Sequence, residues 1–536
     1  MENPFQPIFI LPEGYQRMSG RNALRNNIAA AIEVAETIRT TLGPKGMDKM
    51  LVDSIGNITV TNDGVTILKE MEIEHPAAKI IADIAKTQEE EIGDGTTTAV
   101  IFAGELLKQA LDLIDQNVHP SAIIHGYRLA TEQALTYLNE ISKGVDVSDD
   151  KLLTKIAVTA MTGKSAELAK EYLAKEVVKA VRLLSNSSEL KRENVKLIAK
   201  EGDSILDTKT VFGIVIDKER VHPDMPERIE NAKIALLDTP LEIRDLDIDA
   251  KIQISEPEKI QEFLSMEEQI LSDMVQKIVD SGANVVFCQK GIDEIAQFLL
   301  AKKGILAVRR VKRTDLELLA KATNAPIINN LMQLDSDSLG FADVVYEQKV
   351  GDENMIFVEG CKNPKAVTIL VRGATEQVVE EVKRALEDAV GDCISVIKSG
   401  KVVAGAGACE IELALRLKEF ASKFKGKEQI VIESFANAVE IVPKTLAENS
   451  GFDSIDKLAE LRAVHKKGKI WYGFDVNSGK AIDCFEAGIL EPLKIKVQAF
   501  NSASEVANMI LRVDDVISAG KRLNKDDEQN ESAKRN

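Results

Sequence analysis

Apolar residues recur at three- and four-residue intervals through most of residues 21–143, the spacing that lines one face of a helix. The segment "NIAAAIEVAETIRTTLG" carries Ile28, Ile32, Ala35 and Ile38 in this register, and Gly43 ends it. The pattern then breaks. In "NITVTNDGVTIL" two short β-branched runs flank Asn-Asp-Gly, which predicts a hairpin turn. Two more helices are predicted beyond it. One carries Ile80, Ile81, Ile84 and Ala85; the other carries Val100, Ala103, Leu107, Ala110 and Ile114. "IGDGTT" joins them.

Residues 151–220 read as mainly helical, ending in short strands such as "VFGIVI". From about 221 to 369 the pattern alternates. "AKIALLD", "NVVFCQ" and "ILAVRRV" read as strands and "GIDEIAQFLLAKKG" as a helix, which makes an α/β module. Within it, Ser255 can cap and Pro257 can open a long helix whose apolar stripe is Ile260, Phe263, Leu264, Leu271, Met274, Val275 and Ile278. A helix of that length can project beyond a small domain. "AVTILVRGATEQVVEEVKRALEDAVGDCISVI" reads as strand, turn, helix, strand. After the glycine-rich "VVAGAGACE" the helical spacing returns. "WYGFDVNSGKAIDCFEAGILEPL" interrupts it with strand-like parts, and a last helix includes Val506, Met509, Ile510 and Val513.

Length and charge narrow the function classes. A chain of 536 residues, 44% hydrophobic, can build several cores. A net charge of −18 argues against nucleic acid or an anionic membrane as the main partner. The five cysteines show no Cys-x-x-Cys spacing and read as reduced thiols, as expected of a cytoplasmic protein. The N-terminus lacks the basic start and apolar run of a signal peptide, and no segment has the ~20 apolar residues of a membrane span. The tail "KRLNKDDEQNESAKRN" reads as disordered.

The stretch "EEEIGDGTTTAV" carries the clearest chemistry. The first N–H groups of a helix attract phosphate, and Thr96, Thr97 and Thr98 add hydroxyl donors. Asp94 would repel an anion unless a cation sat between them, which Mg²⁺ can do. A simple helix cap is the alternative reading of Asp94. "TTLGPKGMDKML" offers a second tight turn at Gly43-Pro44, but the spacing of a Walker A loop is absent, and a helix stop is its plainer reading. On local evidence Asp63 is a hairpin residue, Asp388 a solvated helix position and Lys164 an ordinary surface lysine.

Taken together, "TTLGPKGMDKML", "NDGVTIL", "GDGTTTAV", "MTGKSAE", "VVAGAGA" and "GILEPL", in this order, resemble the group II chaperonins, the archaeal thermosome and eukaryotic TRiC family. The resemblance runs from about residue 15 to 520. It implies a multi-domain fold: a mostly α-helical equatorial ATP-binding domain (1–147 with 404–536), a mixed α/β intermediate domain (148–218 with 370–403) and an α/β apical domain (219–369) with a helical lid protrusion near 243–272. It also implies ATP or ADP with Mg²⁺, and K⁺ as a further candidate ion. Leu42, Gly43 and Pro44 would line the phosphate turn. Asp94 would coordinate Mg²⁺, and Gly95, Thr96, Thr97 and Thr98 would bind phosphate. Asp63 and Asp388 would position the attacking water, Lys164 would sense the terminal phosphate, and Gly407, Asp475 and Glu491 would touch ribose and adenine. The implied partners are non-native client proteins and the other subunits, identical or paralogous, of a double ring. Two departures stand out. The family carries three glycines where this chain has Gly405-Ala406-Gly407, and a glycine where it has Asp224. A weakly hydrolysing structural subunit of a mixed ring, and an ATP-dependent small-molecule kinase, are the rival readings.

Overall fold

The computed structural model describes residues 15–519 except 165, 186–189, 244–256 and 363. The expected tail and Ser255 therefore lie outside the described residues, as does much of the expected lid. The chain divides into two compact units, one drawn from residues up to Lys143 and from Val402 onward, the other from Gly144–Lys401.

The first unit is helical and is built from both ends of the chain. Its centre is the Thr96–Asp115 helix, whose fully buried positions include Ala99, Val100, Ala103, Leu106 and Leu107. A helix apolar on so many sides needs neighbours all round. They come from Arg21–Arg39, Pro76–Glu91 and Pro120–Ile141 on one side of the sequence and from Lys427–Val439, Ile441–Asn449 and Leu493–Ile510 on the other. Phe102 meets Phe500 and Phe435 edge to face, with ring centroids 4.7 and 5.5 Å apart, so residues far apart in sequence share one core. Antiparallel pairing of Tyr15–Ser19 with Asp515–Ala519 closes the unit.

The second unit holds two sheets. In the smaller, Val367–Gly373 lies between Val195–Glu201, parallel to it, and Lys209–Val211, antiparallel. The Glu376–Ser399 helix packs beside them. The larger sheet has seven strands, with Arg228–Leu237 flanked by the parallel Val285–Cys288 and the antiparallel Gly340–Val350. Alternate residues of Arg228–Leu237 serve two cores: Ile234 and Leu236 pack with Leu316 and Leu319, while Ala235 and Leu237 pack with Leu271, Val275 and Ile278. The long helix runs Pro257–Ser281, so Pro257 does open it. Its residues Met266 and Ile270 are exposed, whereas Leu271 is buried.

Two local expectations are corrected. Asn-Asp-Gly is not a hairpin turn: Asp63 caps the Gly64–Glu70 helix, and the hairpin lies earlier, pairing Lys49–Val52 with Ile58–Thr61. "CISVI" is not a strand either. Cys393, Ile394 and Val396 are buried on the continuing Glu376–Ser399 helix, and that packing outweighs the strand preference of β-branched residues. Asp224 sits in a turn with its side chain 78% exposed and is not among the positive-φ residues, so replacing a glycine there requires no unusual backbone.

Candidate functional site: two helix starts and a glycine turn in the first unit

The Pro76–Glu91 helix ends in Ile92-Gly93-Asp94-Gly95, and Gly95 opens the Thr96–Asp115 helix in the left-handed region at φ 79° with no side-chain cap bond. The first-turn N–H groups of a helix have no intrahelical acceptor, so these stand ready for an anion. Thr96 is buried; Asp94, Thr97 and Thr98 are half-buried. A β-carbon on Gly95 would lie 2.6 Å from Ile495 Cγ2, so only glycine fits.

Asp63 lies against this start. Its Oδ2 accepts from the Thr66 N–H at 2.8 Å and the Thr66 hydroxyl at 2.6 Å. A β-carbon on Gly64 would lie 2.6 Å from Thr97 Oγ1, which measures how closely the two helix starts approach. Asp63 is therefore both a helix cap and a neighbour of the threonine row. The Leu42-Gly43-Pro44 turn is held from another side: Asn449 Nδ2 donates to the carbonyls of Leu42 (2.9 Å) and Arg39 (3.2 Å), and a β-carbon on Gly43 would overlap Leu446.

The expected nucleoside residues form a second group in the same unit. Gly407, at φ 76°, opens the Ala408–Ala421 helix, again with no side-chain cap bond. Ala406 ahead of it has φ 52°, so the position does take the left-handed backbone that its family glycine would allow freely. Glu491 lies beside Gly405, whose β-carbon would be 2.9 Å from Glu491 Oε1. Burial raises the Glu491 carboxyl above its ordinary range, against the Lys496 ammonium at 2.6 Å, which lowers it. Asp475 is turned inward on its own loop. It accepts from Asn477 N–H at 3.1 Å, Ser478 N–H at 3.2 Å and Ser478 Oγ at 2.5 Å. Burial pushes its carboxyl up, but these bonds outweigh that and hold it below its ordinary value. Any contact from Asp475 to a ribose must compete with them.

Lys164 and Asp388 meet in the second unit as an ion pair, their side chains 22% and 15% exposed. Asp388 is thus not the solvated position that local sequence suggests. Among the described residues no three His, Cys, Asp or Glu side chains cluster as a metal site. All five cysteines are free and buried, and burial pushes the thiols of Cys288, Cys361 and Cys484 up to about 12. No helix among the described residues is long and apolar enough to cross a membrane.

Several residues of the site escaped sequence reasoning. Gln88 and Asn449 bond to residues more than 400 positions away, Glu410 and Lys496 pair across 86, and nothing in their local spacing marks them.

A helical unit assembled from both chain ends, its glycine turns gathered at helix starts, together with an inserted unit of two sheets, is the build of a chaperonin subunit. The chain belongs to the TCP-1/cpn60 chaperonin family, whose model it matches over residues 34–521. It is 58% identical over 518 residues to the thermosome subunit beta of Archaeoglobus fulgidus, covering 96% of this chain and 95% of that one. It is 57% identical over 516 residues to a thermosome subunit of Methanopyrus kandleri, with the same coverages of 96% and 95%. The thermosome subunit alpha of A. fulgidus is 55% identical over 517 residues, again at 96% and 95%. The function that goes with this membership is that of a molecular chaperone.

Proposed function

We propose that this chaperonin subunit is driven by ATP hydrolysis at the site described above and works in a closable cytoplasmic double ring. The observation that carries the reading is the Asp94 turn: an uncapped 20-residue helix start, three threonines and one carboxylate, with the Gly64 helix start packed against it. Leu42 to Pro44 and Gly95 to Thr98 bind the phosphates, and Asp94 holds Mg²⁺. The ion neutralises phosphate charge when bound. Phosphoryl transfer has a loose transition state, so the protein's part is chiefly placement and charge. Asp63 and Asp388 orient the attacking water. Asp63 belongs to the first unit and Asp388 to the second. Lys164 has two partners of like sign to choose between, Asp388 and the terminal phosphate, which suits it to sensing the latter. Residues 219–369 bind clients, and the segment near 243–272 forms the lid. Leu271 is buried in the larger sheet's core and Ile243 packs against it, so residues at both bounds of that segment are anchored in the second unit. Alpha and beta subunits both occur in A. fulgidus, which favours a ring of paralogues.

The test is the Asp388→Ala variant. Magnesium–ADP binding should stay within about twofold of wild type while turnover falls by roughly 10²–10⁴, the range for a positioned proton acceptor. Unchanged turnover would remove Asp388 from the chemistry. Light scattering should show a megadalton-scale particle; a stable monomer at micromolar concentration would end the ring reading.

A further inference from the structure

Gln88 is fully buried, 0% exposed, near the end of the Pro76–Glu91 helix. Its amide nitrogen donates to two backbone carbonyls, Asp94 at 2.9 Å and Ile495 at 3.3 Å. One neutral side chain therefore ties the Asp94 turn to the first turn of the Leu493–Ile510 helix. The amide oxygen is buried with no hydrogen-bond partner among the described residues, so Gln88 is held here for its donors. The next residue of that same turn, Lys496, is 4% exposed and makes two ion pairs: Glu410 Oε1 at 2.8 Å and Glu491 Oε2 at 2.6 Å. Glu410 stands in the first turn of the Ala408–Ala421 helix, just after Gly405-Ala406-Gly407.

Residues 495 and 496 thus hold both ends of the site. The carbonyl of one anchors the phosphate-side turn; the ammonium of the other anchors the nucleoside-side acid and helix start. The packing is tight at both anchors. A β-carbon on Gly95 would meet Ile495 Cγ2 at 2.6 Å and Gln88 Nε2 at 3.2 Å, and one on Gly405 would meet Glu491 Oε1 at 2.9 Å.

We propose that Gln88 and Lys496 are positioning residues for the nucleotide, mounting the Asp94 turn and Glu491 on one rigid support so that the spacing between the phosphate and nucleoside ends is set by the protein. Neither residue touches the nucleotide. Binding then does not have to order the two ends separately, which is where preorganisation gains affinity. The inference rests on the ATP reading above.

Two variants test it on the assembled protein. Gln88→Leu removes both donors at similar volume. The double variant Glu410→Gln with Lys496→Met removes one charge of each sign, so it leaves the net charge of the cluster unchanged. Calorimetric titration with magnesium–ADP should show about tenfold weaker binding in each, the loss typical of an outer-shell partner. The KM for ATP should rise with it while kcat stays within about twofold. Hydrogen exchange without nucleotide separates the anchors: Gln88→Leu should speed exchange at the amides of 93–96 and spare 405–409, and the double variant should do the reverse. If wild type binds no ADP, the nucleotide reading fails and takes this inference with it. If wild type binds and both variants bind equally well, with exchange unchanged, the positioning role alone is wrong. Should one variant fail to assemble, the other carries the same two outcomes for its own anchor.

Discussion

The Thr96–Asp115 and Ala408–Ala421 helices begin alike. Each has a left-handed glycine as its N-cap, Gly95 at φ 79° and Gly407 at φ 76°, and neither gains a side-chain cap bond. Some other helices of the same unit are capped by their own side chains: Asp63 accepts from Thr66 N–H, His75 from Ala77 N–H and Asp453 from Ile455 N–H, whereas Arg21–Arg39 and Lys427–Val439 also start on a glycine without such a bond. A side-chain cap satisfies an N–H that a ligand could otherwise use. The residue ahead of the glycine separates the two starts. At 94 it is an aspartate, and the positive φ values fall on Gly93 and Gly95 alone. At 406 it is an alanine that itself takes φ 52°. The first start is built for charge with strain kept to glycines; the second is built for close packing and tolerates a methyl where strain is highest.

If that contrast is real, charge removal at the first start should have the largest effect. Asp94→Ala should lose several kcal/mol of magnesium-dependent nucleotide affinity, a hundredfold or more. Titration with ADP in the presence and absence of Mg²⁺ checks it: the variant's two isotherms should coincide. A persistent magnesium dependence would mean that the cation is held elsewhere and that Asp94 is only a capping neighbour.

A smaller effect should follow from filling the space beneath the first start. Gly95→Ala would place a methyl 2.6 Å from Ile495 Cγ2 at a positive φ. The left-handed backbone costs an L-residue about 1–2 kcal/mol and overpacking roughly another 1–3. The variant should melt earlier and bind ADP more weakly than wild type. A full-strength ADP site in a stable Gly95→Ala protein would show that this turn has room to relax, and the contrast with position 406 would lose its meaning.

How much of this was legible in the sequence depends on range. The Thr96 helix start could be read because its signals are adjacent: glycine, aspartate, threonines, then an apolar face. Asp63 was misread because Asn-Asp-Gly serves a hairpin or a helix start equally well, and the deciding bonds run to Thr66, only three residues on but within a β-branched stretch. "CISVI" was misread because its buried face on the helix is set by tertiary packing. Gln88 follows an apolar stripe and precedes three glutamates, so it reads as surface; its burial comes from Ile495, 407 positions away. Lys496 reads as one more polar residue of an amphipathic helix until Glu410 and Glu491 are placed around it. The roles of Asp388 and Lys164 came from resemblance, and their pairing came only from the fold.

The smallest effect is expected at Ala406, and its smallness is informative. The other non-glycine residues with positive φ among those described are Asn117, Asp203, Asn231, Arg310 and Asn324. Asn and Asp tolerate this backbone through local hydrogen bonds that alanine cannot make. Two features compensate at 406. Its carbonyl accepts from Phe474 N–H at 2.9 Å, and its methyl packs in the small cluster of Ala404, Ala408, Cys484, Trp471 and Ile489. Ala406→Gly would relieve about 1–2 kcal/mol of left-handed strain. It would also give up roughly 0.5–0.8 kcal/mol of methyl burial and add about 0.4–1 kcal/mol of unfolded-state freedom. The sum is within about 1 kcal/mol of zero. Thermal stability should therefore move by no more than a few degrees, and ADP affinity by less than about threefold. Ala406→Val has no such balance, because a β-branched residue at positive φ is strongly disfavoured, and it should melt earlier and bind ADP less tightly. If Ala406→Gly instead sharply raised both stability and nucleotide affinity, the methyl would be a cost imposed on the site, and the reading of this chain as a weakly hydrolysing ring member would gain its first physical support.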